Sequence, residues 1–215
     1  MKNTSFLFSA IMLLISNFAV AQSFSESGKV VASDAATGAN FGYSVGISNS
    51  FAVVGSPEKN GAGTSSGAAY VYKRNGSNWS EVQKLTASDG STNSKFGYSV
   101  AIEGTRLVIG AFGDNNYKGA AYVFEYNGTQ WVQKQKLIPF DGIAADFYGY
   151  SVSISGNHIV VGSRYDDDNG NSSGSAYVYE YNGSNWAFDQ KLTASDGAAN
   201  DDFGVSVSIS GNHIV

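Results

Sequence analysis

The chain has 215 residues, with 13 basic against 18 acidic side chains, a formal net charge of −5 and no cysteine. That balance argues against nucleic acid and anionic membrane surfaces as partners, because both need clustered Lys and Arg. Without cysteine there is no disulfide framework, no thiolate metal site and no lipid-carrying residue, while 26 glycines, 13 Phe and 13 Tyr predict a turn-rich, all-β extracellular protein.

Residues 1–21 read as a cleavable secretory signal peptide. Lys2 gives a positive start, Phe6 to Phe18 is apolar but short for a bilayer span, and Ala19-Val20-Ala21 is an A-x-A cleavage site. Export, to the medium or the cell surface, follows, and removal of Lys2 brings the mature charge to −6. Residues 24–34 then read as a single strand, since Lys29 to Asp34 (KVVASD) resembles Lys84 to Asp89 (KLTASD).

From residue 41 onward one phrase recurs, as Phe41-Gly42-Tyr43-Ser44-Val45, Phe96-Gly97-Tyr98-Ser99-Val100, Tyr148-Gly149-Tyr150-Ser151-Val152 and Phe203-Gly204-Val205-Ser206-Val207. The starts are 55, 52 and 55 residues apart. Trp79, Trp131 and Trp186 keep the same period, as do three Gln-Lys-Leu triplets beginning at Gln83, Gln135 and Gln190. A period of this size marks a repeat array.

The second copy shows the content of one unit. Phe96 to Ile102 alternates and turns at Glu103-Gly104-Thr105 into the apolar run Arg106 to Ala111, a strand buried on both faces. A loop at 112–118 leads to a third strand, 119–126, and the Asn127-Gly128 turn returns it as a fourth from Trp131 to Leu137. Such sheets cannot bury both faces alone, and radial packing of four-stranded antiparallel blades into a β-propeller covers them. The blades fall at about 41–86, 96–138 and 148–193, with a partial fourth at 203–215. The sequence stops within that fourth unit, so a fragment of a longer ring is expected, closure requiring further C-terminal blades.

Phe-Gly at the start of the first strand, with Gly55-Ser56-Pro57, Gly110-Ala111-Phe112 and Gly162-Ser163-Arg164 about a dozen residues later, resembles the FG-GAP repeat of integrin α-subunit propellers and their bacterial relatives. The resemblance covers nearly all of residues 29–215 and implies a ring of about seven blades, about three and a half of them present here, with segment 24–34 completing the last by analogy. It also implies calcium in the turn between the first two strands. Here those turns, Ser48-Asn49-Ser50, Glu103-Gly104-Thr105 and Ser155-Gly156-Asn157, are too short and too poor in carboxylate for that site.

Carboxylates gather instead in the loops before each first strand and after each second strand. Both loop classes emerge on one face of an up-and-down blade, and a scaffold's longer loops are where binding usually resides. Asp89, Asp114, Asp141, Asp166, Asp168 and Asp196 are therefore candidate ligand-binding residues. Asp166, Asp168 and Asn169 form the densest oxygen cluster and are the candidates for a Ca²⁺ site, against the simpler reading of a solvated turn. Trp79, Trp131 and Trp186, one per blade, are candidates for stacking on sugar rings, against packing between blades.

No catalytic constellation is visible. Gly42-Tyr43-Ser44-Val45-Gly46 matches a G-x-S-x-G elbow in letters, but Ser44 recurs within a strand as Ser99, Ser151 and Ser206, where no strand-to-helix turn exists. His158 and His213 occupy equivalent turns one repeat apart and have no second histidine nearby for zinc. The expected function is an exported, non-catalytic binding or adhesion module that contacts an extracellular protein or cell-surface ligand through its acidic loop face. The alternative is a lectin-like propeller using one aromatic per blade on a glycan.

Overall fold

The computed structural model describes residues 28–215. The expected signal peptide and the beginning of segment 24–34 lie outside the described residues. Three four-stranded antiparallel sheets follow one another, each in simple sequence order. Blade 1 comprises β1 (Val45–Ser48), β2 (Phe51–Ser56), β3 (Ala68–Asn75) and β4 (Asn78–Leu85). Blade 2 comprises β5 (Ser99–Glu103), β6 (Arg106–Ala111), β7 (Ala120–Tyr126) and β8 (Trp131–Leu137). Blade 3 comprises β9 (Tyr148–Ser155), β10 (His158–Ser163), β11 (Ser175–Tyr181) and β12 (Trp186–Leu192). A two-stranded sheet, β13 (Ile209–Ser210) with β14 (His213–Ile214), begins a fourth unit. The architecture is that of a partial β-propeller.

Two differences from the sequence reading concern strands. Among the described residues, 28–34 form no strand and pair with none. They lie against blade 1 through side chains, with the Tyr72 hydroxyl donating to the Val31 carbonyl at 2.8 Å and the Ser33 Oγ donating to Glu81 at 2.7 Å. In the first two blades the Phe-Gly phrase also precedes the innermost strand: Gly97 takes φ +87°, and Phe96 makes an isolated parallel bridge to Gly67 of the blade before.

The core lies between blades. Along β6, Leu107, Ile109 and Ala111 pack toward blade 1 with Val53, Val71 and Phe96, while Val108 packs toward blade 3 with Ile159 and Tyr177. An apolar run with both faces buried is thus the consequence of sitting mid-blade in a stack of sheets. Each of the large side chains fully removed from water contributes about 1.5–3 kcal/mol.

The blades approach most closely where the repeat writes glycine. A Cβ on Gly55 would lie 2.0 Å from the Gly97 carbonyl oxygen, one on Gly110 2.0 Å from that of Gly149, and one on Gly162 2.0 Å from that of Gly204. Those same carbonyls accept hydrogen bonds from Ser44, Ser99 and Ser151 at 2.8, 2.9 and 2.7 Å. The apparent nucleophile elbow is therefore a blade-to-blade fastening.

At the outer strands the fastening is an amide clamp. The Gln83 side chain receives the Trp131 N–H at 2.7 Å and donates to its carbonyl at 2.8 Å, and Gln135 does the same for Trp186 at 2.8 and 2.7 Å. Each outer strand carries a register shift, between the partners of Val71 and Tyr72, of Val123 and Phe124, and of Val178 and Tyr179. In a regular strand, residues i and i+2 share a face. The extra residue at Val82 breaks that phase, so Glu81 bonds back to Ser33 while Gln83 reaches forward to the next blade; Lys134 does likewise for Gln133 and Gln135.

Replacing Gly110 by Ala is expected to lower stability by about 2–4 kcal/mol, because the new Cβ meets backbone that cannot move without parting two blades. Gly46→Ala, whose Cβ would meet side-chain methyls of Ile102 and Val53 at 3.2 Å, is expected to cost under about 1 kcal/mol. Denaturant unfolding of the two variants checks the contrast.

Candidate functional site

The loops before each first strand and after each second strand meet at one end of the blades, where they build a repeated cluster of Asp, Tyr and Lys. At blade 1, Asp34 accepts from the Tyr70 hydroxyl at 2.6 Å and from Lys84 at 2.7 Å, and Lys59 joins it. At blade 2, Asp89 accepts from Tyr122 at 2.8 Å and Lys136 at 2.6 Å, and Asp114 lies 2.7 Å from the same ammonium. At blade 3, Asp141 accepts from Tyr177 at 2.7 Å, and Lys191 reaches Asp141, Asp166 and Asp168 at 2.8, 3.0 and 2.6 Å.

Lys59, Asp114 and Asp166 occupy one repeat phase and are all buried. The charge at that position decides the local balance. Blade 1 sets two ammonium groups against one carboxylate, blade 2 one against two, and blade 3 one against three.

The candidate aspartates therefore hold loops together. The bond from Lys84, then that from Tyr70, keeps the Asp34 carboxyl far below its usual range. For Asp89 and Asp141 burial acts in the other direction, but the bonds from lysine and tyrosine outweigh it and both are lowered. Asp196, in the phase of Asp89 and Asp141, is exposed and makes no such contact among the described residues.

Asp146 behaves differently. It is 3% exposed, accepts the Ile143 N–H at 2.6 Å, and is pushed up to about 6 by burial and by the neighbouring charges of Asp166 and Asp167. Its repeat-phase sisters close the same loop, Ser94 by accepting the Ser91 N–H at 3.0 Å and Asp201 by accepting the Ala198 N–H at 2.6 Å, so residue type alone does not single Asp146 out.

The calcium sites that the family resemblance brings to mind do not fit these residues. Each hairpin between the first two strands has a two-residue tip, Asn49-Ser50, Gly104-Thr105 or Gly156-Asn157, with no carboxylate. Between Asp166 and Asp168 the cation is already present as the Lys191 ammonium, and the Asn169 side chain donates instead to the Ala194 carbonyl at 3.3 Å. Among the described residues no group of three His, Asp or Glu side chains is arranged to hold a metal ion.

The tryptophans correct a second expectation. Trp131 and Trp186 are 2% and 3% exposed, and each indole packs between blades, Trp131 against Phe51 and Tyr126 and Trp186 against Tyr181. Neither offers a ring face to a sugar. Trp79 is half-buried against the segment around Ala32.

Nearer the inner strands, the same loop end carries an aromatic ledge. Tyr43, Tyr98 and Tyr150, one per blade, stand in file with ring centroids 4.7 and 4.8 Å apart. Phe112 packs on Tyr98 at 4.4 Å and on Phe147 at 4.9 Å, Phe147 on Tyr165 at 4.8 Å, and the Arg164 guanidinium lies over Tyr165 and Tyr150 at 4.7 and 5.2 Å. All are partly exposed, Tyr43 by 51%. Phe147 holds φ +58°, a left-handed conformation that a bulky residue adopts only at a cost of about 1 kcal/mol or more. Its repeat-phase sisters Asn40, Lys95 and Asp202 share that conformation, so the fold imposes the backbone and the side chain is free to vary.

Comparison with known proteins places this architecture. The FG-GAP repeat matches residues 24–72, 79–124, 131–179 and 186–215. Integrin alpha-7 of Mus musculus is 30% identical over 117 aligned positions, which cover 46% of this chain and 10% of the relative. The chain thus spans about a tenth of that relative's length. Among solved structures, the crystal structure of Saccharomyces cerevisiae Sqt1 superposes with a TM-score of 0.46 at 13% identity, covering 78% of this chain and 41% of that one.

Two expected outcomes follow from the carboxylates. Asp34, Asp89 and Asp141, lowered in the folded state, stabilise it above their unfolded range near pH 4 and lose that contribution as pH falls further. Asp146, raised to about 6, costs stability at neutral pH and relieves that cost as pH falls, by about 1–1.5 kcal/mol between pH 7 and 5. Stability should therefore peak near pH 5, and Asp146→Asn, which keeps the acceptor for Ile143, should flatten the rise between pH 7 and 5 in denaturant titrations. Calcium at millimolar level should leave Tm unchanged in the parent chain. In Lys191→Met, which strands three carboxylates, Tm should fall and calcium should recover part of it.

Proposed function

The chain belongs to the FG-GAP repeat family, and from that premise we propose that it is an exported, non-catalytic binding module of adhesion type that meets an extracellular protein with the loop end of its blades. The supporting observation is the aromatic ledge of Tyr43, Tyr98, Phe112, Phe147, Tyr150 and Tyr165, which leaves large rings partly open to solvent at the end where the longer loops gather. Aromatic side chains carry a large share of binding energy at protein interfaces because they bury much area at little entropic cost.

The acidic residues enter this reading in a supporting role. Those of the Asp–Tyr–Lys clusters fix the loops that carry the ledge, and Arg164, stacked on Tyr150 and paired with Asp202 at 2.7 Å, fixes its far end. The likeness to integrin alpha-7 favours a protein ligand, and an extracellular location suits both that likeness and the leader read from residues 1–21. Asp89 and Asp141 each accept from one tyrosine and one lysine, which is an arrangement for holding shape.

Retention of beads coated with the protein on immobilised extracellular-matrix proteins, with a glycan array in parallel, tests the reading. Binding to at least one matrix protein is expected, with a loss of about tenfold or more when Tyr43 and Phe112 are changed to Ser. Binding to glycans alone, or retention that ignores both substitutions, would replace this reading with the lectin-like one or remove the ledge from it.

A further inference from the structure

The outer rim carries a second surface, created by one repeat departing from the others. At the first two junctions the loop before the blade is tied to the outer strand by a polar pair. Ser33 gives both its N–H and its hydroxyl to Glu81 at 2.8 and 2.7 Å, and Ser88 exchanges bonds with Gln133 at 3.1 and 2.8 Å. At the third junction the same two phases hold Phe140 and Phe188, whose rings meet edge-to-face at 4.9 Å. They are 67% and 45% exposed. The same loop exposes Ile138 by 55% and Ile143 by 58%, where the second repeat has Thr86 and Ser91.

In a chain whose repeats elsewhere agree letter for letter over ten residues, as Ser151 to Val160 and Ser206 to Val215 do, one junction turns four large apolar side chains to water, Ile138, Phe140 and Ile143 on its loop and Phe188 on its outer strand, where the second repeat has Thr86, Ser88, Ser91 and Gln133. Packing does not demand them, because the sister junctions close with Ser, Glu and Gln. Exposed apolar clusters rimmed by polar groups are the usual mark of an interaction site.

The surrounding charge specifies the partner. Both phenylalanines lean on Tyr177, with centroids 6.1 and 6.4 Å away, and its hydroxyl donates to Asp141 and Asp166. That cluster sets Asp141, Asp166 and Asp168 against Lys191 alone, leaving two negative charges, and Asp167 in the same loop is exposed. The corresponding cluster of blade 1 has the opposite excess. The apolar patch therefore sits where the loop clusters are most negative, and lysine- and arginine-rich segments are drawn to such a field while anionic ones are repelled.

We propose that Phe140 and Phe188, with Ile138 and Ile143, form a docking site for a cationic segment of a protein partner, in which an aromatic or aliphatic anchor is flanked by Lys or Arg. The site lies on the outer strand and stands apart from the central ledge, so either can fail without the other. Phe140 and Phe188 anchor the apolar side chain, and Asp141 and Asp168 steer the flanking charges.

The test uses the double variant Phe140→Ser/Phe188→Gln, which writes the second junction into the third and is expected to fold with unchanged Tm. A random-peptide phage library is panned on the full chain and the enriched peptides are measured by fluorescence polarisation. Peptides with an apolar anchor between basic residues should be enriched, should bind the double variant about tenfold or more weakly, and should weaken as salt rises. Failure to enrich any peptide, enrichment without net positive charge, or equal binding by the double variant would overturn the proposal. So would glycans on an array that bind the parent and not the variant, since they would make the same phenylalanines a sugar platform.

Discussion

Three backbone contacts set the geometry of the whole molecule, those in which Gly55, Gly110 and Gly162 lie against the carbonyls of Gly97, Gly149 and Gly204. The second-strand residue must lack a side chain for this approach, and the glycine after the opening aromatic must lack one for another, since a Cβ on Gly97 would lie 2.3 Å from the Ala68 carbonyl oxygen and one on Gly149 2.2 Å from that of Ala120. The second of these also holds positive φ, +87° at Gly97 and +85° at Gly149, which turns the chain into the innermost strand with its carbonyl facing the blade before. A serine hydroxyl then satisfies that carbonyl. Every other interblade contact is spaced by this one, from the buried Tyr122 and Phe124 in the middle to the glutamine clamps on Trp131 and Trp186 at the outside.

The bulge in each outer strand is the complementary device. A blade in a stack must present different residues to the neighbour before and the neighbour after, and a strand whose side chains alternate strictly would send Glu81 and Gln83 the same way. One extra residue separates their directions, so that a single short segment fastens the blade on both sides. The backward-facing position is then the one at which the junctions differ, as Glu81, Gln133 and Phe188, while the forward-facing glutamine stays constant. Constancy marks the clamp and variation marks the rim.

Much of the fold could be read from the sequence because repetition separates scaffold from decoration. Four-stranded units, the tight hairpins at 49–50, 104–105 and 156–157, and the doubly buried second strands follow from period, turn chemistry and apolar run length. What could not be read depends on contacts between residues about 50 positions apart. The tryptophans look like ring platforms until Gln83 and Phe51 are seen to enclose Trp131, and the aspartates look like a free acidic face until lysines of the adjacent strand are found among them. The bulges leave no signal in residue type, since Val82, Lys134 and Asp189 share nothing but their phase. Phe140 and Phe188 were legible in principle, as departures from Ser33, Ser88, Glu81 and Gln133, but only once those phases were known to touch.

The residue just before each opening aromatic shows how such a scaffold takes on specificity. Asn40, Lys95, Phe147 and Asp202 all adopt left-handed backbone, because the chain must reverse there to place the following aromatic in the core and the glycine against the next carbonyl. The strain is charged to the fold whatever the side chain is, so that side chain can change with little further cost. Lys95 pairs with Glu58 at 2.6 Å, Phe147 packs on Phe112 and Tyr165, and Asp202 pairs with Arg164 at 2.7 Å. Three successive junctions thus close with an ion pair, an aromatic stack and an ion pair on one backbone. A stack of near-identical repeats thereby becomes asymmetric at the end where its loops gather, on a backbone that does not change from one junction to the next.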